Sequence, residues 1–170
     1  TTCGSDEIEV ALRSLAARTY IAECRMALHA IAVDGKGANR QEWRALNDFV
    51  VHKGGFARVV RVGLSVDGDS IGTYAADGVI ISTPTGSTAY SLSAGGPVVV
   101  PTVESILLTP ISAHALGVRP LVVSPDAEVV VDTTQSSEEL MVTVDGQVGT
   151  NLVPGEKLVV RRSPNPVIII

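Results

Sequence analysis

Of the 170 residues, 45% are hydrophobic and 18% charged, which suits one globular core and leaves little room for disorder. Thirteen Lys and Arg against eighteen Asp and Glu give a formal net charge of −5, so no basic face is expected for a nucleic-acid backbone. No apolar run approaches the roughly 20 residues of a membrane helix, and Cys3 and Cys24 alone cannot build a disulfide framework, so a soluble chain of a reducing cytoplasm is expected, with no nucleic-acid or membrane partner.

From Ser5 the pattern reads as a helix, with Ser5 as N-cap, Asp6 and Glu7 in the first turn, and Ile8, Leu12 and Leu15 along one face. Between Tyr20 and Val33 the side chains alternate, with Met26, Leu28, Ala30 and Ala32 on one side of a long, half-exposed strand that ends at the turn Asp34-Gly35-Lys36-Gly37. Strands come next at Leu46 to Val51, Ala57 to Val66 and Ile71 to Ala75, the last two joined by a turn at Asp67 to Ser70. The apolar run Val79-Ile80-Ile81 suits a strand buried on both faces. The second half continues with strands at Arg119 to Ser124, Glu128 to Asp132, Leu140 to Val144 and Lys157 to Arg162. Six aromatic residues against 25 Gly or Pro agree with many short strands joined by turns. The expected fold is mainly β: one β-sandwich domain over 1–170, with a short N-terminal helix and one or two short helices. The chain starts on Thr1 and stops on the strand-like Val167 to Ile170, and both ends are expected to be cut.

Residues 82–97 are not ordinary. They run Ser-Thr-Pro-Thr-Gly-Ser-Thr-Ala-Tyr-Ser-Leu-Ser-Ala-Gly-Gly-Pro, a strand-to-helix junction in which Thr85, Ser87 or Thr88 can cap the short helical stretch after the turn. Converging hydroxyls and N–H groups suit ribose, amide or phosphate oxygens, while a capped surface turn explains the same composition. Gly95-Gly96 would let another backbone or a ligand approach closely. Asn47-Asp48 interrupts an apolar strand, so its polar groups are either satisfied in a turn or aimed at a ligand. Asp77 precedes the buried strand as a turn carboxylate, His114 reads as a partly buried structural residue, and Asp145-Gly146-Gln147 reads as a hairpin turn. No P-loop, Gly-x-Gly-x-x-Gly, Ser-His-Asp ordering or metal-ligand spacing occurs in the sequence.

These segments carry a resemblance. Leu46-Asn-Asp-Phe-Val, residues 77–97, Ile106 to Leu116 with Arg119-Pro-Leu-Val, and Val144-Asp-Gly-Gln147 stand in the order and spacing of the motifs of the NAD kinase family, also called inorganic polyphosphate/ATP-NAD kinases. The chain resembles the family's C-terminal β-sandwich, the dinucleotide-binding and oligomerising half. The family's Gly-Gly-Asp-Gly-Thr loop, whose Asp is the proposed base on the adenosine ribose 2′-hydroxyl, does not occur in this sequence.

The resemblance implies that NAD is phosphorylated to NADP, with ATP or polyphosphate as donor, a divalent metal such as Mg, and a homodimer or homotetramer. By the same resemblance Asn47 and Asp48 contact NAD, and Asp77 helps hold its nicotinamide end. Thr88, Ala89, Tyr90, Ser91, Leu92 and Ser93 line the adenine and ribose pocket, with Thr85 near it. Arg58 offers a cation, Gln147 closes the site, and Ser112 and His114 reach across a subunit interface. The resemblance assigns no catalytic residue and no metal ligand to this chain. A stand-alone NAD(P)-binding or oligomerisation module is the alternative, and the Thr-Pro-Thr-Gly-Ser-Thr-Ala-Tyr stretch argues against a lipid or sphingoid kinase relative.

Overall fold

The computed structural model describes residues 4–54, 60–112 and 118–170. Helix α1 (Ile8–Ala17) is followed by fourteen strands among the described residues: β1 (Glu23–Arg25), β2 (Leu28–Val33), β3 (Asn39–Ala45), β4 (Asp48–Lys53), β5 (Val60–Val66), β6 (Asp69–Ala76), β7 (Gly78–Ser82), β8 (Ile106–Ile111), β9 (Leu121–Val123), β10 (Val129–Asp132), β11 (Leu140–Val144), β12 (Gln147–Leu152), β13 (Lys157–Arg162) and β14 (Val167–Ile169). A 3-10 turn (Thr85–Thr88) and helix α2 (Tyr90–Ser93) lie between β7 and β8.

The strands form two six-stranded sheets, in the orders β3-β2-β13-β10-β5-β6 and β12-β11-β4-β7-β8-β9, with β1 and β14 paired separately. Every pairing is antiparallel. Alternation decides what lies between the sheets. Leu28, Ala30, Val62, Leu64, Val129, Val131, Leu158 and Val160 of the first sheet meet Phe49, Val51, Val79, Ile81, Ile106, Leu108, Leu140 and Val142 of the second in one core. The expected mainly β sandwich is what forms.

The intervening residues of the second sheet, Val50, Ile80, Leu107 and Thr109, are buried too but outside that core. The 83–97 segment covers them, so β7 is buried along its whole length and reads as a continuous apolar run.

Several local expectations change. Helix α1 begins at Ile8, and no side chain caps it; Ser5 stands in the preceding turn. Ile8, Leu12 and Leu15 do share the helix, but none of its residues is buried. The strand expected from Tyr20 to Val33 is broken at Met26-Ala27 into β1 and β2. Asn39–Ala45, passed over in the sequence, is an edge strand, held by the Arg40 guanidinium on both oxygens of Glu156 at 2.6 Å and by His29 against Glu42. The strand beginning expected at Ala57 lies partly outside the described residues, as do Cys3, Arg58 and His114.

Candidate functional site

The site grows from the start of β4. Phe49 and Val51 point into the core, so alternation turns Asp48 and Val50 to the opposite face, beneath the 83–97 segment. Asn47 therefore stands just before the strand rather than inside it, and Asp48 is its first residue, directly opposite Ser82.

The backbone here is gripped from two sides. The Asp145 carboxylate accepts from three successive N–H groups: Oδ2 from Leu46 at 2.9 Å, and Oδ1 from Asn47 at 2.7 Å and Asp48 at 3.1 Å. Thr83 takes the carbonyls, its Oγ1 donating to Leu46 O at 2.6 Å and its N–H to Asn47 O at 2.9 Å. The same Oγ1 accepts from Gly86 N at 3.0 Å, within the 3-10 turn, while helix α2 has no side-chain cap from the expected Thr85, Ser87 or Thr88. Gly86 lies against the Asn47 carbonyl so closely that a Cβ there would sit 2.1 Å from its oxygen. Backbone contact thus joins the two motifs.

The Asp48 side chain is treated differently from its backbone. It is only 4% exposed, yet no donor among the described residues meets its carboxylate. Burial, then the neighbouring Asp145 charge, pushes its pKa up to about 6. Opposite it, the fully buried Ser82 hydroxyl has no hydrogen-bond partner among the described residues. Two polar groups are therefore held in place with bonding capacity unused.

The 83–97 segment presents one side outward and anchors the other. Thr88, Ala89, Tyr90, Leu92 and Ser93 are exposed, and Thr85 is half-buried. Ser91 points inward, its hydroxyl bonded to Thr109 Oγ1 at 2.8 Å, which places it in the scaffold rather than along an open pocket wall. Ser87 likewise bonds Pro84 O at 2.6 Å and both backbone groups of Val99. Of the expected close approaches at Gly95-Gly96, the one that Gly96 makes is to the protein itself, since its Cβ would meet Ser91 Oγ at 2.3 Å.

At the far end of the β4 and β7 pair, Val50, His52, Lys53, Asp77, Tyr90, Ile111, Ser112 and Thr143 enclose a cavity of about 370 Å³. Lys53 Nζ donates to Asp77 Oδ1 at 2.7 Å. A strand rise of about 3.4 Å per residue puts Asp77, in register with Lys53, roughly 17 Å from Asp48 along the β4 direction. Tyr90, on the segment above, stands over the second end. Gln147 is exposed beyond the Asp145 turn, in an open cleft of about 490 Å³ with Trp43 and Arg44.

The structure thus brings together Asn47, Asp48 and the 83–97 segment, and separately Asp77, Tyr90 and Ser112. Arg58 and His114 lie outside the described residues. Sequence reasoning missed Thr83, Lys53 and the carboxylate role of Asp145. Lys53 was open to discovery, because the β4 and β7 alternation brings it to Asp77; the Asp145 contact spans 97 to 99 residues and leaves no local signal. Among the described residues no three His, Cys, Asp or Glu side chains gather as metal ligands, and no helix is long and apolar enough to cross a membrane.

Comparison with known proteins identifies the family. Residues 46–170 match the family described as the ATP-NAD kinase C-terminal domain. The chain is 58% identical over 170 residues to an NAD kinase of Gemmatimonas aurantiaca, covering 100% of this chain and 59% of that protein. It is 43% identical over 166 residues to an NAD kinase of Thermoanaerobacter sp., covering 96% of this chain and 57% of that one. It therefore spans less than two thirds of these relatives. Among solved structures it is similar to yeast NADH kinase complexed with NADH, at a TM-score of 0.87 and 28% identity over 95% of this chain and 47% of that one. It is also similar to an NAD kinase from Archaeoglobus fulgidus in complex with ATP, at a TM-score of 0.76 and 29% identity over 96% of this chain and 60% of that one. With its sheets, its motifs and its relatives in agreement, the chain belongs to the ATP-NAD kinase C-terminal domain family.

Proposed function

We propose that this chain is the dinucleotide-binding part of an ATP-dependent NAD kinase, which transfers a phosphoryl group to the adenosine ribose 2′-hydroxyl of NAD and yields NADP. The observation that carries the reading is the Asp48 carboxylate, buried beside the 83–97 segment with no donor among the described residues. Ribose hydroxyls are donors of the right kind, and a carboxylate that accepts them recovers the hydration lost on burial. The far end of the β4 and β7 pair, with Asp77 and Tyr90 at one cavity, takes the nicotinamide half. Thr88, Ala89, Leu92 and Ser93 offer contacts between them, with Ser112 contributing across a homo-oligomer interface.

The described residues do not fit a divalent metal, since they assemble no ligand set for one. The proposed phosphoryl donor and its metal are assigned to no residue of this chain. The role left to this chain is to bind and orient NAD so that the 2′-hydroxyl is presented for transfer. It does so in the cytoplasm.

Calorimetry with NAD tests the reading. Asp48→Asn keeps the shape and removes the charge, and is expected to weaken binding by about ten- to a hundred-fold, the worth of a charge-assisted bond of ~1.5 to 3 kcal/mol. Equal affinity in the variant would overturn the assignment. Purified on its own, the 170-residue chain is expected to bind NAD without phosphorylating it. Turnover above background would place the transferring groups in this chain after all.

A further inference from the structure

We propose that Asp145 is the positioning residue of this dinucleotide site: its carboxylate, spread over the N–H groups of Leu46, Asn47 and Asp48, fixes the backbone so that the Asp48 side chain is delivered to the ligand with its accepting capacity unspent. This rests on the proposed NAD site and adds a residue to it.

A hairpin turn does not require what Asp145 does. At φ 47° with Gly146 at φ 79°, the turn would accept Asn or Gly at the first position equally well. The carboxylate is instead spent on a segment 97 to 99 residues away, just where Leu46 and Asn47 precede the strand ladder. Asp145 also closes the clamp from its own backbone, its N–H donating to Asp48 O at 3.0 Å. With Thr83 on the Leu46 and Asn47 carbonyls, the protein saturates the backbone around Asp48 and leaves the side chain for something else.

The charge has a second effect. Opposite Asp48, β7 brings Ser82, β11 ends at Val144 beside it, and the overlying 83–97 segment carries Tyr90 as its titratable side chain. On its own strand the ionisable residues are His52 and Lys53, at the far end. Among the described residues Asp145 is therefore the charge that bears on Asp48, adding to burial in raising the carboxyl to about 6.

Asp145→Asn in the full-length protein separates these roles from simple turn formation. Asn tolerates the positive φ, so the fold is kept; one oxygen still accepts, while an NH₂ group faces the Leu46 N–H. We expect NAD affinity near neutral pH to fall about tenfold. In the ligand-free protein the titration midpoint of Asp48, followed by carboxyl ¹³C NMR, should move below about 6. A role confined to the turn, which Asn fills equally well, would leave NAD affinity and that midpoint in place. Wild-type affinity with an unmoved midpoint in Asp145→Asn, beside a loss in Asp48→Asn, overturns this proposal alone. Unchanged affinity in Asp48→Asn overturns the dinucleotide reading and this proposal with it. Should Asp145→Asn not fold, Asp145→Glu keeps the charge and displaces the oxygens by one methylene: weakened NAD binding supports the positioning role, and wild-type binding overturns it.

Discussion

Asp48 costs the fold stability at neutral pH. An unfolded Asp titrates near 3.9, and this one, buried and beside another carboxylate, near about 6. Between those values the folded state holds the extra proton, so stability falls as pH rises from about 4 to about 6 and stays lower above. Asp48→Asn escapes that penalty, about 3 kcal/mol at most. Thermal melting across pH is the check: the variant should be the more stable above about pH 6, with the advantage fading toward pH 4. An advantage independent of pH would show that ionisation is not the cause. A stabilised variant that binds NAD poorly is the exchange expected where a strained group serves a ligand. The polar pair in an apolar stretch was legible as a broken rule. Which of its two explanations held was not, because the choice depends on Thr83 and Asp145, whose contacts with this stretch only the folded chain creates.

At the scale of elements, the tightest coupling is between the start of β4 and the 3-10 turn. Gly86→Ala places a methyl 2.1 Å from Asn47 O, a contact with backbone that cannot rotate away, so the turn must move. Overpacking of this kind costs about 1 to 3 kcal/mol. The far-ultraviolet signature of the sandwich should persist while NAD binding drops at least tenfold, the drop that a cost of about 1.4 kcal/mol represents. Intact binding would mean that the turn need not touch Asn47. Elements with strong alternation were readable: β11 and β13 match their expected bounds, and β7 shows in its unbroken apolar run. The missed β3 has five exposed positions of seven and an inner side of only Trp43 and Ala45 at its end, too short a pattern to show, so its first half depends on partners such as Glu156. Strand β12 hides behind Gly149, which packs beneath the Val144 side chain with a Cβ position 3.0 Å from it.

For the whole molecule, the sheet and the Ile106 to Leu116 segment are the expected surfaces of self-association. Ile106, Leu107 and Leu108 are at most 1% exposed, so the first part of that segment faces no neighbour, and residues 113–116 lie outside the described residues. The sheet edge beside them is β9, where Leu121 is 37% and Val122 52% exposed. An open apolar edge invites pairing, so sedimentation should show oligomers that Leu121→Lys with Val122→Lys weakens. Monomers alone at micromolar concentration would count against this. Helix α1 has a different consequence. Ile8, Val10, Leu12 and Leu15 are 42 to 66% exposed, and no residue of the helix is buried. Unwinding it therefore uncovers little new apolar surface, and its ten residues fall short of the roughly 12 to 15 at which an isolated helix becomes even marginal in water. In native-state hydrogen exchange α1 is expected to be a separate opening unit, its amides trading their protons for deuterium while those of Phe49 and Val160 stay protected until the sandwich itself opens.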